Sequence, residues 1–166
     1  MRLFEALPFP RGQTMGPSSD GYAATVGVVG RLFAVYDKDA KSEILLRVVA
    51  AGDTLTLTPG LFVGFDASEL LKKTGPIADN GEIARAIDTE YTGQSVTAGT
   101  LFYVIEQGPA TVVKATGTDT GVSAKEALYV DTVGEINGTV SSGYVVGYSC
   151  ATADDNATSV SAFLGA

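Results

Sequence analysis

The chain has 166 residues and a formal net charge of −8, with one cysteine and no histidine. The lone Cys150 excludes an intrachain disulfide and a cysteine-rich metal site, and the lack of histidine excludes Ser–His and Cys–His catalysis. The negative charge argues against a nucleic-acid partner, because duplex binding depends on Lys and Arg side chains that displace counterions.

The composition predicts an all-β protein with a small barrel or sandwich architecture. The chain contains 20 glycines and only 18% charged residues, and Val, Thr and Tyr recur throughout. This profile is typical of many short strands joined by tight turns. The length and the absence of a Gly/Ser linker predict one β-rich domain, residues 21–166, preceded by an N-terminal arm, residues 1–20. No apolar run reaches the length of a membrane span, so no membrane partner is expected.

The arm is predicted to be extended, because its prolines and glycines interrupt helices and central strands. Glu5, Pro8 and Pro10 also interrupt any apolar leader, so no secretory signal is expected. The apolar side chains of the arm should avoid water, so the arm folds back over its own domain or docks on a partner; a disordered terminus is the third alternative. The predicted contact residues are the apolar anchors Phe4, Leu7 and Phe9 and the cations Arg2 and Arg11, which would pair with partner carboxylates.

The stretch after the arm predicts a series of strands followed by a short helical insert. The strands are expected over residues 25–29, 32–36, 44–50, 54–58 and 61–65. Asp66 or Ser68 can cap a helix over residues 69–73, which Gly75 and Pro76 would end. A second short helical turn is predicted over residues 82–87, and the two together form a possible insert, 67–91.

The stretch LFYVIEQGPATVV, residues 101–113, is predicted to be the centre of the core. Its first five residues are apolar on both alternating faces, which is typical of a strand that is buried on both sides or covered by a neighbouring subunit. Residues 106–108 break this pattern, and Pro109 lacks the N–H that a ladder needs, so residues 110–113 are predicted to return as the second arm of a hairpin. The predicted core or subunit-interface residues are Leu101, Phe102, Tyr103, Val104 and Ile105.

Further strands are predicted over residues 95–97, 127–130, 143–149 and 159–164, with turns between them. Cys150 lies inside the apolar stretch VVGYSCA, which is predicted to be a strand, and it is expected to be buried. Basic residues become rare after Lys114, whereas acidic residues continue to the end of the chain. The C-terminal half is therefore expected to present an acidic outer face.

Three short motifs could carry chemistry, and each also fits a turn. Residues 119–121, Asp-Thr-Gly, match the aspartic-protease signature, but no apolar strand leads directly into the Asp. The stretch from Asp37 resembles the start of a calcium loop, yet Ser42 and Val48 stand where an EF-hand needs Gly and Glu. Residues 154–156 could offer oxygens to a weak ion site. We therefore predict no catalytic residue, no metal ligand and no cofactor.

Three segments resemble the capsid cement, or decoration, proteins of tailed bacteriophages, including cyanophages. They are LLRVVAAGDTLTLTPGLFVGF (residues 45–65), LFYVIEQGPATVVKATG (101–117) and GYVVGYSCATADDNATSVSAFLG (143–165). The likeness covers most of the chain from about residue 30 onward and rests on strand and turn patterns rather than on reactive residues. Residues 68–91 match it least.

The resemblance implies a structural virion protein on the outer face of an icosahedral head, where it clamps neighbouring major capsid subunits. It also implies a homo-oligomer, with a trimer favoured over a dimer, and no enzymatic activity. A head-fibre base or host-surface binding module of a phage is the alternative function, and a small aspartic-protease-like hydrolase that uses Asp119 is a third.

Overall fold

The computed structural model describes residues 6–16, 28–65, 71–72, 83–139 and 145–165, and every regular element in these ranges is a β-strand. The strands are β1 (Leu32–Asp37), β2 (Ser42–Ala51), β3 (Leu55–Thr56), β4 (Phe62–Phe65), β5 (Leu71–Lys72), β6 (Ile83–Ile87), β7 (Ser95–Val96), β8 (Leu101–Val113), β9 (Ala127–Tyr129), β10 (Val145–Ser149) and β11 (Ser159–Leu164). The all-β prediction is confirmed.

Nine of the strands form one sheet in the order β1-β2-β5-β4-β6-β8-β11-β10-β9, while β3 and β7 pair separately. The pairs are antiparallel except for β2 with β5. Because β2 also pairs with β8, the sheet curls back on itself. The described strands do not define a closed barrel, so the architecture is a large, mostly antiparallel sheet.

Strand β8 organises the sheet, since it contacts β2 and β6 with its first half and β11 with its second half. Residues 101–107 pair with β2, and residues 108–113 pair with β11. A bulge lies at Glu106, which has no opposite residue on β2, because Leu46 faces Ile105 and Leu45 faces Gln107. The change of partner follows directly, between Gln107 and Gly108. Such a bulge bends a strand and increases its twist, which allows β8 to pair with β2 along its first half and with β11 along its second half.

The predicted hairpin in this stretch is wrong, because β8 runs without a break through 13 residues. Lys114 donates its backbone N–H to the carbonyl of Thr158, just before β11, whereas Val113 donates in the opposite direction, to the carbonyl of Gly60. Backbone nitrogens alternate between the two edges of a strand, so Pro109 and Val113, four residues apart, point theirs to the same edge. The ring nitrogen of Pro109 therefore faces away from β11. The missing N–H therefore costs the β8–β11 ladder nothing.

The helical insert is not supported by the part of the chain that the structure describes. Residues 71–72, within the first predicted helix, form β5, and residues 83–87, within the second, form β6. Strand β6 lies between β4 and β8, with Ala84 and Ala86 buried, so tertiary pairing overrides the helical preference of this stretch. Residues 66–70 and 73–82 lie outside the described residues.

The remaining strand predictions agree with the structure apart from their ends. The predictions for 32–36, 44–50 and 61–65 correspond to β1, β2 and β4, and that for 159–164 coincides with β11. The alternating stretch 54–58 shortens to β3. Residues 28–31 precede β1 without joining a strand, and most of the strand predicted over 25–29 lies outside the described residues.

The core lies around β2 and the first half of β8. Residues 101–105, predicted as core or subunit interface, are each at most 1% exposed within a single chain. Their burial therefore needs no second subunit. The largest of the other fully buried apolar side chains are Ile44, Leu46, Leu57, Ile87, Leu128 and Ile136.

Candidate functional site

The described part of the arm, residues 6–16, lies on the chain's own core. The Phe9 ring stacks on Tyr103 with 4.4 Å between ring centroids, and Phe9 is 7% exposed. The Tyr103 hydroxyl donates a 2.6 Å hydrogen bond to the Phe9 carbonyl, and burial raises the pKa of Tyr103 to about 12. Met15 and Leu101 exchange backbone hydrogen bonds. The arm thus follows the first of the alternatives raised by the sequence.

Arg11 fastens the arm through a carboxylate cluster. Its Nε and Nη2 donate to the two oxygens of Asp88 at 2.7 and 2.6 Å, and its Nη1 donates to Asp37 at 2.8 Å. The Asp88 side chain is fully enclosed. Burial acts to lower the pKa of Arg11, but the hydrogen bonds to Asp88 and Asp37 outweigh it and raise the pKa. The hydrogen bond from the Ala40 N–H, and to a smaller extent the one from Arg11, holds the pKa of Asp37 below its usual value.

The predicted arm contacts therefore divide into two groups. Leu7, Phe9 and Arg11 contact this chain's own core, with Leu7 half-buried. Arg2 and Phe4 lie outside the described residues. Asp88, the buried partner of Arg11, was not singled out by the sequence, because nothing in its local pattern distinguishes it from a turn carboxylate. Whether any arm residue also touches a capsid stays a prediction.

A second ion cluster stabilises the bulge of β8. Glu106 accepts hydrogen bonds from Arg47 on β2 and Arg85 on β6, each at 2.8 Å. Burial acts to raise the pKa of Glu106, but the two arginines outweigh it and lower the pKa to about 2. The Arg85 Nε is buried without a hydrogen-bond partner. The cluster joins three neighbouring strands at the place where β8 changes partner.

Lys114 directly after β8 is a buried cation that the sequence reasoning missed. It is 2% exposed, and its Nζ donates to the carbonyls of Ala115 at 2.7 Å and Ala157 at 3.4 Å. The Thr120 hydroxyl is a third acceptor, at 3.3 Å, and it contacts the Asp155 carbonyl at 3.1 Å. One ammonium group thereby holds together the end of β8 and two loops.

The three motifs considered for chemistry form turns in the structure. Asp119 is exposed in a turn with a φ of 61°. Asp37 accepts N–H bonds from Asp39 and Ala40, and Asp154 accepts N–H bonds from the two positions 156 and 157. These carboxylates cap their own backbone, which is the ordinary role of Asp in a turn.

Cys150 is exposed, so the expectation of burial is wrong. It follows β10 directly, where the strand has already ended, and it lines an open groove of about 530 Å³. The groove also carries the carboxylates Asp37, Asp39 and Glu90 and the hydroxyls Thr111 and Ser161.

Large apolar side chains are exposed at two separate places on the sheet. On β1, which ends the sheet beside β2, Leu32 is 44% exposed and Tyr36 is 60% exposed. Beside the second half of β8, Phe163 on β11 and Tyr148 on β10 face each other across the strands and are 47% and 51% exposed. The first pair is called the β1 patch and the second the aromatic row.

The acidic residues of the C-terminal half lie outside the strands β9, β10 and β11. Several of the carboxylates lie instead in turns, where they accept backbone N–H groups. Asp131 accepts from residues 133 and 135, Asp155 from Gly121, and Glu126 from Ser123. Asp and Glu are favoured in these turns because their carboxylates accept hydrogen bonds from backbone N–H groups that no strand partner would satisfy.

Within the described ranges, no group of three or more His, Cys, Asp or Glu side chains is placed to hold a metal ion. Over the same ranges, no helix is long and apolar enough to cross a membrane. Comparisons of the chain with protein families, with curated proteins and with solved structures gave no match.

Proposed function

We propose that this chain is a structural virion protein, a capsid cement protein that binds the outer surface of an icosahedral phage head. In this role it bridges major capsid subunits and associates with further copies of itself. The proposal rests on the resemblance of three sequence segments and is supported by one observation. The sheet exposes large apolar side chains at two separated places, the β1 patch and the aromatic row.

A protein that bridges capsid subunits needs two separate binding surfaces on one stable sheet. Strand β8 connects them, since β1 is reached through β2 at its first half and the aromatic row through β11 at its second half. A protein that binds the mature shell but not its precursor stabilises the mature shell by mass action. Binding to the mature shell is sufficient for this function.

We assign the major capsid protein to the β1 patch. Strand β1 has a strand neighbour on one side only among the described residues. An edge without a partner strand among the described residues offers backbone N–H and C=O groups, and a capsid segment can add to such an edge as a further strand. The side chains of Leu32 and Tyr36 would then enter apolar pockets on the capsid.

The test is binding of the purified chain to purified phage heads, measured by co-sedimentation and cryo-electron microscopy at low occupancy. We expect Tyr36→Ser to weaken binding at least tenfold, and Val133→Ser, which alters an exposed apolar residue of a turn, to leave it unchanged. No binding of the unaltered chain to heads would refute the cement function. Equal binding of both variants would refute the assignment of the β1 patch.

The groove beside Cys150 favours a second candidate, a host-surface binding module. Carboxylates and hydroxyls on an open groove are suited to hydrogen-bonding the hydroxyls of a glycan. Copy number separates the two functions, because a cement protein is present in hundreds of copies per virion and a receptor binder in few. Quantitative mass spectrometry of purified virions gives this number directly. Asp119, exposed in its turn, gives the hydrolase alternative no support.

A further inference from the structure

We infer that Asn137 is a site of spontaneous deamidation, in which the side-chain amide becomes a carboxylate through a cyclic imide. Asn137 and Gly138 directly follow Ile136, which forms a β-bridge with Lys114 just after β8. Both residues of the Asn-Gly pair are partly exposed, so water reaches them. In this reaction the backbone nitrogen of the next residue attacks the asparagine side chain. The surroundings of that nitrogen therefore decide where the reaction occurs.

The Gly138 nitrogen is the nucleophile at this place. Among the described residues, no group accepts a hydrogen bond from the Gly138 N–H. Its proton can therefore be removed by hydroxide without first breaking a hydrogen bond within the protein. Glycine also has no Cβ beside this nitrogen, so nothing of its own side chain hinders the approach to Asn137.

The Asn137 side chain is held and polarised by Thr139. Its Oδ1 accepts the Thr139 N–H at 3.1 Å and the Thr139 hydroxyl at 2.9 Å. These two bonds tie the carboxamide to the backbone that follows it. Two donors on one carbonyl oxygen also stabilise the negative charge that this oxygen takes up when its carbon is attacked, in the manner of an oxyanion hole.

The reaction consumes only water and releases ammonia. The Gly138 nitrogen gives its proton to hydroxide and bonds to the Asn137 Cγ, and the bond between Cγ and Nδ2 breaks as ammonia leaves. Water then opens the cyclic imide at one of its two carbonyl carbons. Opening at Cγ leaves aspartate, whereas opening at the main-chain carbonyl carbon leaves isoaspartate, in which the backbone runs through the former side chain.

Asn156 provides an internal comparison, because the structure opposes the same reaction there. The N–H of the next residue, Ala157, donates to the Asp154 side chain at 2.8 Å and to the Asp154 carbonyl at 3.2 Å. The nucleophile is thus occupied, and Ala157 carries a Cβ beside it. The third asparagine, Asn80, also precedes a glycine but lies outside the described residues.

The two products are expected to differ in their effect on the fold. Aspartate retains the hydrogen-bonded side-chain oxygen of asparagine. Isoaspartate lengthens the backbone next to Gly138, which lies so close to the Gly121 carbonyl oxygen that even a Cβ would collide with it. The neighbouring Thr120 hydroxyl accepts a hydrogen bond from the Lys114 ammonium. Isoaspartate should therefore loosen the loop that Lys114 holds, so that the molecule weakens as it ages.

The experiment is incubation of the full chain at mildly alkaline and at mildly acidic pH, followed by peptide mapping that separates asparagine, aspartate and isoaspartate at each position. We expect Asn137 to be converted at least tenfold faster than Asn156. Conversion of Asn137 should be faster at the higher pH, because hydroxide removes the Gly138 proton. Ala157→Gly is the matched variant, since it creates another Asn-Gly pair whose N–H remains bonded to Asp154. In this variant Asn156 should still be converted at least fivefold more slowly than Asn137.

An intact Asn137 after incubation of the folded chain, or equal rates at Asn137 and Asn156, would overturn the inference. Equal rates in Ala157→Gly would show that the dipeptide alone decides and would refute the role of the free Gly138 nitrogen.

The urea midpoint of unfolding tests the consequence for the fold. Asn137→Asp should unfold at the same urea concentration as the unaltered chain, whereas the aged chain that contains isoaspartate should unfold at a lower one. An unchanged midpoint of the aged chain would refute the loosening of the loop. None of these measurements involves phage heads, so the inference and the proposed function fail independently of each other.

Discussion

At the scale of single residues, the Lys114 ammonium makes an unusual contribution to the fold. It is enclosed, and it donates to two carbonyls and a hydroxyl. Lys114→Met would keep the apolar stem and remove the donor, leaving these acceptors unsatisfied in a buried place. We expect a loss of about 2 kcal/mol in the free energy of unfolding, measured by urea denaturation.

The matched control for this change is Lys125→Met, which alters an exposed lysine in the same half of the chain. Hydrogen exchange provides a local measurement, since the Gly117 N–H donates to the Asp155 carbonyl within the loops that Lys114 joins. It should exchange faster in Lys114→Met than in the control. Equal stability and equal exchange in the two variants would show that the ammonium does not hold the loops together.

The lowered pKa of Glu106 predicts how the free energy of unfolding depends on pH. Its pKa is lowered from 4.5 to about 2 in the folded chain, so the unfolded chain binds more protons between these values. Stability from this group is therefore complete above pH 4.5 and is lost as the pH falls towards 2. The shift corresponds to about 3 kcal/mol, which screening at a partly exposed site reduces to about 2 kcal/mol.

Denaturation at several pH values between 5 and about 2 measures this dependence. We expect Glu106→Gln to flatten the acid decline of stability by about 2 kcal/mol relative to the unaltered chain. Arg85→Met removes one of the two cations that lower the pKa, so the decline should be smaller and should end at a higher pH. A Glu106→Gln profile parallel to that of the unaltered chain would contradict the assigned role.

At the scale of elements, Gly108 allows β8 to continue past its bulge. Its φ is +124°, and a Cβ at this position would lie 3.1 Å from the Glu43 carbonyl oxygen and from Ile44 Cα. These are backbone atoms that cannot move aside alone. We expect Gly108→Ala to lower the free energy of unfolding by about 1–3 kcal/mol through strain, measured by urea denaturation.

Gly16→Ala is the control for this change, because no heavy atom lies within 4 Å of the added Cβ. It should alter stability by less than about 0.5 kcal/mol. If Gly108→Ala were equally harmless, β2 would have to shift to make room for the side chain, and Gly108 would not be what allows β8 to continue past its bulge.

The sequence predicted those elements whose pattern is local. The alternation in β11 and the apolar run in β2 each identify a strand without knowledge of its neighbours. The bulge in β8 and the strand β6 were missed because both depend on partners far along the chain. The same holds for the site: Arg11 was singled out, but its partner Asp88 lies 77 positions away and no local pattern connects them.

At the scale of the whole molecule, the arm is part of the fold, whatever surface it also offers to a partner. Phe9 covers Tyr103, Arg11 neutralises the enclosed Asp88, and the Tyr91 hydroxyl donates to the Gln13 carbonyl at 2.9 Å. Deleting the arm would therefore alter stability together with any docking. A loss of head binding after such a deletion would not identify the arm as a docking element, whereas Tyr36→Ser in β1 removes none of the arm contacts given above.

Deletion of residues 1–16 gives the last prediction. Uncovering the Phe9 site costs about 3 kcal/mol, and leaving Asp88 buried without its partner costs a similar amount. Together these approach the whole stability of an ordinary domain, about 5–15 kcal/mol, so the truncated chain should unfold at a much lower urea concentration. A synthetic peptide of residues 6–16 should restore part of this loss, whereas a peptide with Ala at the positions of Phe9 and Arg11 should not. An unchanged urea midpoint after truncation would show that the sheet is stable without its arm, and the arm would then be free to act on a partner.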